Sequence, residues 1–168
     1  MKTAVFHEFE IMQNSVLGAH VLWAFADGFS SVDKNYKNEL TLWHLITVLP
    51  LVFHEVSRRA INKRRVSSGL RSILDRDPEI DVAQNEAIFN LASRIKNLQE
   101  RSFRSLNCAI ALGFIEITEG YFIPSKRLKL PREMNLETKQ IIKSSQKLGV
   151  WAGQLSIFEY LTILGVKP

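Results

Sequence analysis

The chain has 168 residues, 46% of them hydrophobic, which is enough for one sizeable core or two small ones packed together and excludes a disordered tail. Its net charge of +5 at pH 7 and pI near 9.5 favour partners with negative surfaces, nucleic acid first, although soluble proteins without such partners share this excess. The single cysteine, Cys108, excludes an internal disulfide and fits a reducing compartment, and its apolar helical context suits a small buried side chain better than a nucleophile.

The first residues, MKTAVFHEFEIMQ, carry two acids and no long apolar run, unlike a signal peptide. From about Asn14 to Phe29 the chain is apolar almost all round (Val16, Leu17, Ala19, Val21, Leu22, Trp23, Phe25), which predicts a helix buried on most sides. Asn14 or Ser15 can cap it and Asp27-Gly28 can stop it. After a polar loop from Ser30 to Asn38, a second apolar helix is predicted from Glu39 to Val56, kinked or broken at Pro50. Its most lipid-like part, Leu40 to Phe53, contains His44 and Pro50 and falls short of the roughly 20 residues a spanning helix needs. A cytoplasmic protein with no membrane partner is expected.

From Ser57 the composition changes. Arg58, Arg59, Lys63, Arg64, Arg65 and Arg71 follow one another without an acid, either as a surface for phosphates or an acidic partner or as a solvated linker, the latter supported by Ser67-Ser68-Gly69. Asp75, Asp77, Glu79 and Asp81 then alternate around Pro78. They lack the glycine and distal glutamate of a calcium loop, and read instead as an acidic loop that favours the N-terminus of the next helix. That helix, Val82 to about Gln99, aligns Ile88, Leu91, Ala92, Ile95 and Leu98 on one face.

The stretch Arg101 to Ser125 predicts a further helix with Phe103, Leu106, Ala109 and Ile110 on its apolar face, ended by Gly113. Two β-rich runs, Phe114 to Thr118 and Tyr121 to Ile123, flank Glu119-Gly120, a two-residue hairpin turn. Helix, turn, helix and hairpin in that order outline a winged helix-turn-helix.

A second basic segment, Lys126, Arg127 and Lys129, follows the wing. The next helix, from about Asn135 to Leu148, spaces Lys139, Lys143 and Lys147 by four, as a solvated face or a docking stripe. The apolar end of the chain, with Trp151, Phe158 and Tyr160, must pack into its own core or against a partner. Together with Trp23 and Trp43 these are the candidate protein-docking anchors, and most of them also read as plain core.

No nucleotide-binding loop, paired-cysteine motif, HExxH or GxSxG occurs. His44 and His54 sit in apolar helical contexts, where packing or one hydrogen bond is the expected role. No catalytic residue, cofactor site or metal site is assigned, and an enzyme is not expected.

Three segments together resemble a known family: NSVLGAHVLWAF, LTLWHLITVLPLVFHEVSRRAI, and Leu148-Gly149-Val150-Trp151 with the ending Ile163 to Pro168. They resemble the middle component of bacterial three-component ABC systems, the small subunits of Lamassu-type anti-phage defence. The resemblance implies a non-enzymatic subunit between an effector, often a nuclease, and an ATPase similar to the structural-maintenance-of-chromosomes (SMC) and Rad-type repair ATPases. It also implies similarity to the tandem winged-helix subunits of bacterial condensins. A second winged unit in the N-terminal half would need a wing after Phe53, and the sequence shows only the basic stretch there.

The resulting expectation is a mainly α (α+β) protein, with a helical docking unit over 1–66, either a degenerate winged helix or a plain helical domain, and a winged helix with C-terminal helices over 67–168. Its expected role is an adaptor that bridges the ATPase and the effector and couples sensing of foreign double-stranded DNA, met through the complex, to effector release. Expected contacts to DNA or an acidic partner are Arg58, Arg59, Lys63, Arg64, Arg65, Arg101, Arg104, Lys126, Arg127 and Lys129. The rival reading is a free-standing winged-helix transcriptional regulator with Arg101, Arg104 and Asn107 in a major groove. Against it stand the acids Glu116 and Glu119 on the wing, which repel phosphate.

Overall fold

The computed structural model describes residues 14–32, 38–74, 90–125, 128, 130 and 134–167. The first helix, α1 (Ser15–Ser30), begins where expected, with Asn14 Oδ1 accepting the backbone N–H groups of Val16 and Leu17 at 3.0 Å each. Ala19, Val21, Leu22, Ala24, Phe25 and Ala26 are all buried, as an all-round apolar helix requires. Gly28 does not stop it: the helix runs on to Ser30, and Gly28 serves close packing, since a Cβ there would overlap the Gln146 carbonyl.

The apolar run after the loop forms two helices, α2 (Leu42–Val52) and α3 (Glu55–Lys63). Pro50 stays inside α2, and the break falls at Phe53-His54. His54 restarts the chain as the N-cap of α3, its ring accepting from the backbone N–H of Ser57. Short 3-10 turns over Val66–Ser68 and Leu70–Leu74 follow, separated by Gly69 at φ +74°, a left-handed conformation suited to glycine.

The largest departure from expectation concerns the turn near Gln99. Leu91–Ala111 is one uninterrupted helix, α4, of 21 residues. Leu91, Ser102, Ser105, Leu106 and Ala109 are buried along it, while Phe103, expected on the apolar face, is 37% exposed. Packing distance explains the exchange. A Cβ on Gly18 of α1 would collide with Ser105 Oγ, so this crossing admits only small side chains. Gly113, at φ +68°, then closes α4: its N–H and that of Phe114 donate to the carbonyls of Ile110 and Ala109 at 3.0 and 2.8 Å, the paired bonds of a Schellman cap.

The hairpin expected as the wing is present. Strands β1 (Ile115–Thr118) and β2 (Tyr121–Pro124) pair antiparallel with Thr118 opposite Tyr121, and Glu119 and Gly120 both take positive φ, 53° and 86°, as a type I′ turn demands. Its outer side is anchored rather than free: the Phe122 N–H donates to the Leu40 carbonyl at 3.0 Å, and Trp23 Nε1 donates to the Ser125 carbonyl at 3.2 Å.

Helix α5 (Leu136–Gly153) extends five residues beyond the expected end at Leu148, and α6 (Ile157–Ile163) completes the described chain. Helices α1 and α5 run parallel in backbone contact. Ser145 Oγ donates to the Val21 carbonyl at 2.7 Å, and Gly149 and Gly153, one and two turns later, face the carbonyls of Phe25 and Phe29. One hydrophobic core stretches from Ala19 to Val166 and is shared by residues on both sides of position 66. Among the described residues no helix is long and apolar enough to cross a membrane.

Candidate functional site

Two open clefts lie at the two ends of α5. The first, a groove of about 690 Å³, runs between α3 and the start of α5, lined by Glu55, Arg58, Arg59, Asn62, Lys63, Leu136, Glu137 and Gln140. The second, about 350 Å³, lies beneath the wing, where Phe29, Val32, Leu40, Phe122 and Ile123 form an apolar floor and Glu39 and Glu119 contribute carboxylates. From Gln140 to Gly153, a wall residue of the second, is thirteen residues, or about 20 Å of helix axis.

The basic stretch is mostly structural on the side that faces α5. Arg58 is buried and spends one Nη on the carbonyls of Val52 and Phe53 at 3.0 and 3.4 Å and the other on Glu137 Oε1 at 3.3 Å. It therefore closes the end of α2 and ties it to α5, and is not available as a phosphate contact. Arg59 is exposed and ion-paired to Glu55 on the same helix face. Lys63 and Arg65 are exposed and Arg64 half-buried, and Arg71 reaches Glu159 at 3.6 Å. Lys147, from the lysine row on α5, donates to the carbonyls of Ile61, Asn62 and Arg64 at 3.0, 3.1 and 2.6 Å, capping the end of α3. Burial, and then the neighbouring Lys143, hold its amine below the usual lysine range. Arg59, Lys63, Arg65, Lys139 and Lys143 are exposed along α3, the segment after it and α5.

Sequence gave no sign that Arg94 would matter. Its Nη1 donates to the Pro50 carbonyl at 2.8 Å and to Ser57 Oγ at 3.2 Å, a second guanidinium on the α2–α3 break. Burial lowers the pKa of Arg94, and His54 beside it is lowered by burial first and then by the charges of Arg94 and Arg58. His44 is 1% exposed, its ring between Phe29 and Tyr160 and its Nδ1 accepting the Thr41 N–H at 3.2 Å; burial pulls its pKa down to about 4. Both histidines thus act as caps within the packing. Among the described residues no group of three or more His, Cys, Asp or Glu is placed to hold a metal ion.

On α4, Arg104 is exposed and paired with Glu100, and Asn107 is exposed, whereas Arg101 is half-buried with its Nη1 inside the protein. The row Arg101, Arg104 and Asn107 is therefore not one open groove-reading face. Glu116 and Glu119 stand exposed on the wing. Lys126, Arg127 and Lys129, like the acidic run from Asp75 to Asp81, lie outside the described residues.

The five expected docking anchors separate sharply. Trp151 and Tyr160 are fully buried, the indole N–H donating to the Val66 carbonyl at 2.7 Å and the Tyr160 hydroxyl bonded to Thr47 Oγ1 at 2.7 Å. Trp23 is core as well, at 7% exposure. Trp43 and Phe158 are 46% and 72% exposed and are the two still open to a partner.

A family model described as MC3, ABC-three component (ABC-3C) system Middle Component 3, matches residues 3–168. The chain belongs to this family. As a middle component it partners the other components of its system. No curated protein and no solved structure matches it.

Proposed function

We propose that this middle component is a non-enzymatic adaptor of a Lamassu-type anti-phage complex, bridging an SMC-like ATPase and an effector such as a nuclease. The observation that carries the reading is the presence of two separate clefts at the two ends of α5, one lined by ion-paired arginines and glutamates with Lys63 and the other by an apolar floor with glutamates alone, on a scaffold whose helices touch backbone to backbone. An adaptor needs two separate surfaces, and surfaces of unlike chemistry keep two partners from competing for one place.

Coupling of foreign DNA to effector release requires that the chain bind the resting and DNA-engaged assemblies with different affinity; equal affinity would transmit nothing. In this reading α4 and the hairpin act as a winged helix turned to protein docking, with Trp43 and Phe158 as contacts, and Arg59, Lys63 and Arg65 face an acidic partner or DNA held by the complex.

Co-expression with the products of the flanking genes, followed by affinity purification and a gel shift of the chain alone at low and moderate salt, tests it. Stable co-purification with an ATPase and an effector, and only weak, salt-sensitive DNA binding by the isolated chain, is the expected result. Tight, sequence-selective binding by the chain alone would identify a regulator instead.

A further inference from the structure

The cleft under the wing has a chemistry of its own. Its floor of Phe29, Leu40 and Phe122 suits an aliphatic stem, while every ionisable group in its lining is an acid or the Tyr121 phenol. Neither Glu39 nor Glu119 has an ion-pair partner among the described residues, in a chain whose net charge is +5. Glu116 adds a third exposed carboxylate on the same face of the hairpin, directly across the ladder from Ile123.

The geometry is held in place. The Tyr121 phenol is held above its usual range by its interaction with Glu39 first, then by burial and, last, by the charge of Glu119, so both acids act on one side chain of the cleft. The Phe122 N–H bond to the Leu40 carbonyl fixes the wing against the segment that carries Glu39.

We propose that this cleft receives an arginine or lysine side chain from an extended segment of a protein partner, the stem lying on Leu40 and Phe122 and the cationic head between Glu39 and Glu119. The match is one of charge and shape: long basic side chains bury their methylenes and keep their heads at a polar edge. A volume of about 350 Å³ holds one such side chain and its flanking backbone, at the small end of ligand clefts. DNA is disfavoured here, because carboxylates repel phosphates. The proposal rests on the adaptor reading only for the source of the segment.

The test is a titration of the full ¹⁵N-labelled chain with the peptide acetyl-Gly-Leu-Arg-Leu-Gly-amide and with its citrulline counterpart, followed by amide shifts. The arginine peptide is expected to move Leu40, Thr118, Glu119 and Phe122 and to bind about tenfold more tightly than the citrulline peptide. In the double variant Glu39→Gln/Glu119→Gln, whose changed residues are exposed, that preference disappears. Equal binding of the two peptides overturns the proposal, as does the absence of shifts at these amides up to about 1 mM peptide. Self-association of the chain that the double variant abolishes assigns the cleft to a second copy and also overturns it. A specific peptide response without co-purifying partners supports the cleft and refutes only the adaptor reading.

Discussion

Gly149 lies directly against the Phe25 carbonyl, so that a Cβ at position 149 would penetrate the carbonyl oxygen and also stand 2.9 Å from the Phe29 nitrogen. The obstruction is backbone, which cannot swing aside as a side chain can. Helix propensity alone would make alanine the better residue there by about 1 kcal/mol. Steric overlap reverses the sign, and Gly149→Ala is expected to lower stability by about 3 kcal/mol, near the upper end of overpacking costs. Urea unfolding at neutral pH measures this, with exposed Lys143→Ala as a control that stays within about 0.5 kcal/mol.

Acid should destabilise the fold through His44. Its folded pKa of about 4 lies below the ordinary histidine value of 6.5, so between these values the unfolded chain binds a proton that the folded chain refuses. The neutral-ring contribution is fully present above pH 6.5 and is lost as pH falls through 4, a difference of roughly 3 kcal/mol. His44→Gln retains an acceptor for the Thr41 N–H and removes the titration. Denaturation of both proteins at pH 7 and pH 4.5 should show a smaller acid loss in the variant; equal losses would remove His44 as the cause.

Lys147 illustrates how a charge in a regular row can be committed inside the structure. Its three bonds to the carbonyls that end α3 predict that Lys147→Met costs about 1–2 kcal/mol, since a charged donor to orphaned carbonyls is lost. Lys139, exposed two turns earlier, should tolerate the same change within about 0.5 kcal/mol. Thermal unfolding of the two variants side by side separates cap from solvated face.

Much of this fold can be read from local rules. The Asn14 cap, the all-round apolar α1 and the Glu119-Gly120 turn each announce themselves within a few residues, because capping and turn chemistry are local. Arg58 could not be read this way. It follows what looks like one continuous helix, and only the break at Phe53-His54 exposes the carbonyls it closes. Ser102 and Ser105 look solvent-facing in sequence, yet both are buried, and Ser105 occupies the tight crossing opposite Gly18, where size matters more than polarity. The wing cleft was half visible: acids on the wing marked it as unfit for phosphate, but Glu39 joins Glu119 only through the Leu40–Phe122 contact between distant segments.

The continuity of α4 gives the sharpest remaining test, because a helix-turn-helix would place its turn beside Gln99. Gln99 is exposed, so substitutions there act on the backbone alone. In a turn, Gln99→Gly would be neutral or helpful. In the middle of a 21-residue helix it should cost about 1 kcal/mol, and Gln99→Pro about 3 kcal/mol or more, by removing one hydrogen bond and clashing with the Ile95 carbonyl. Urea unfolding of the two variants, with hydrogen exchange at the amides of Glu100 to Arg104, decides the matter. Unchanged stability in both would place a turn there, whereas graded losses with exchange opened around the proline establish one rigid helix carrying the wing from its C-terminal end.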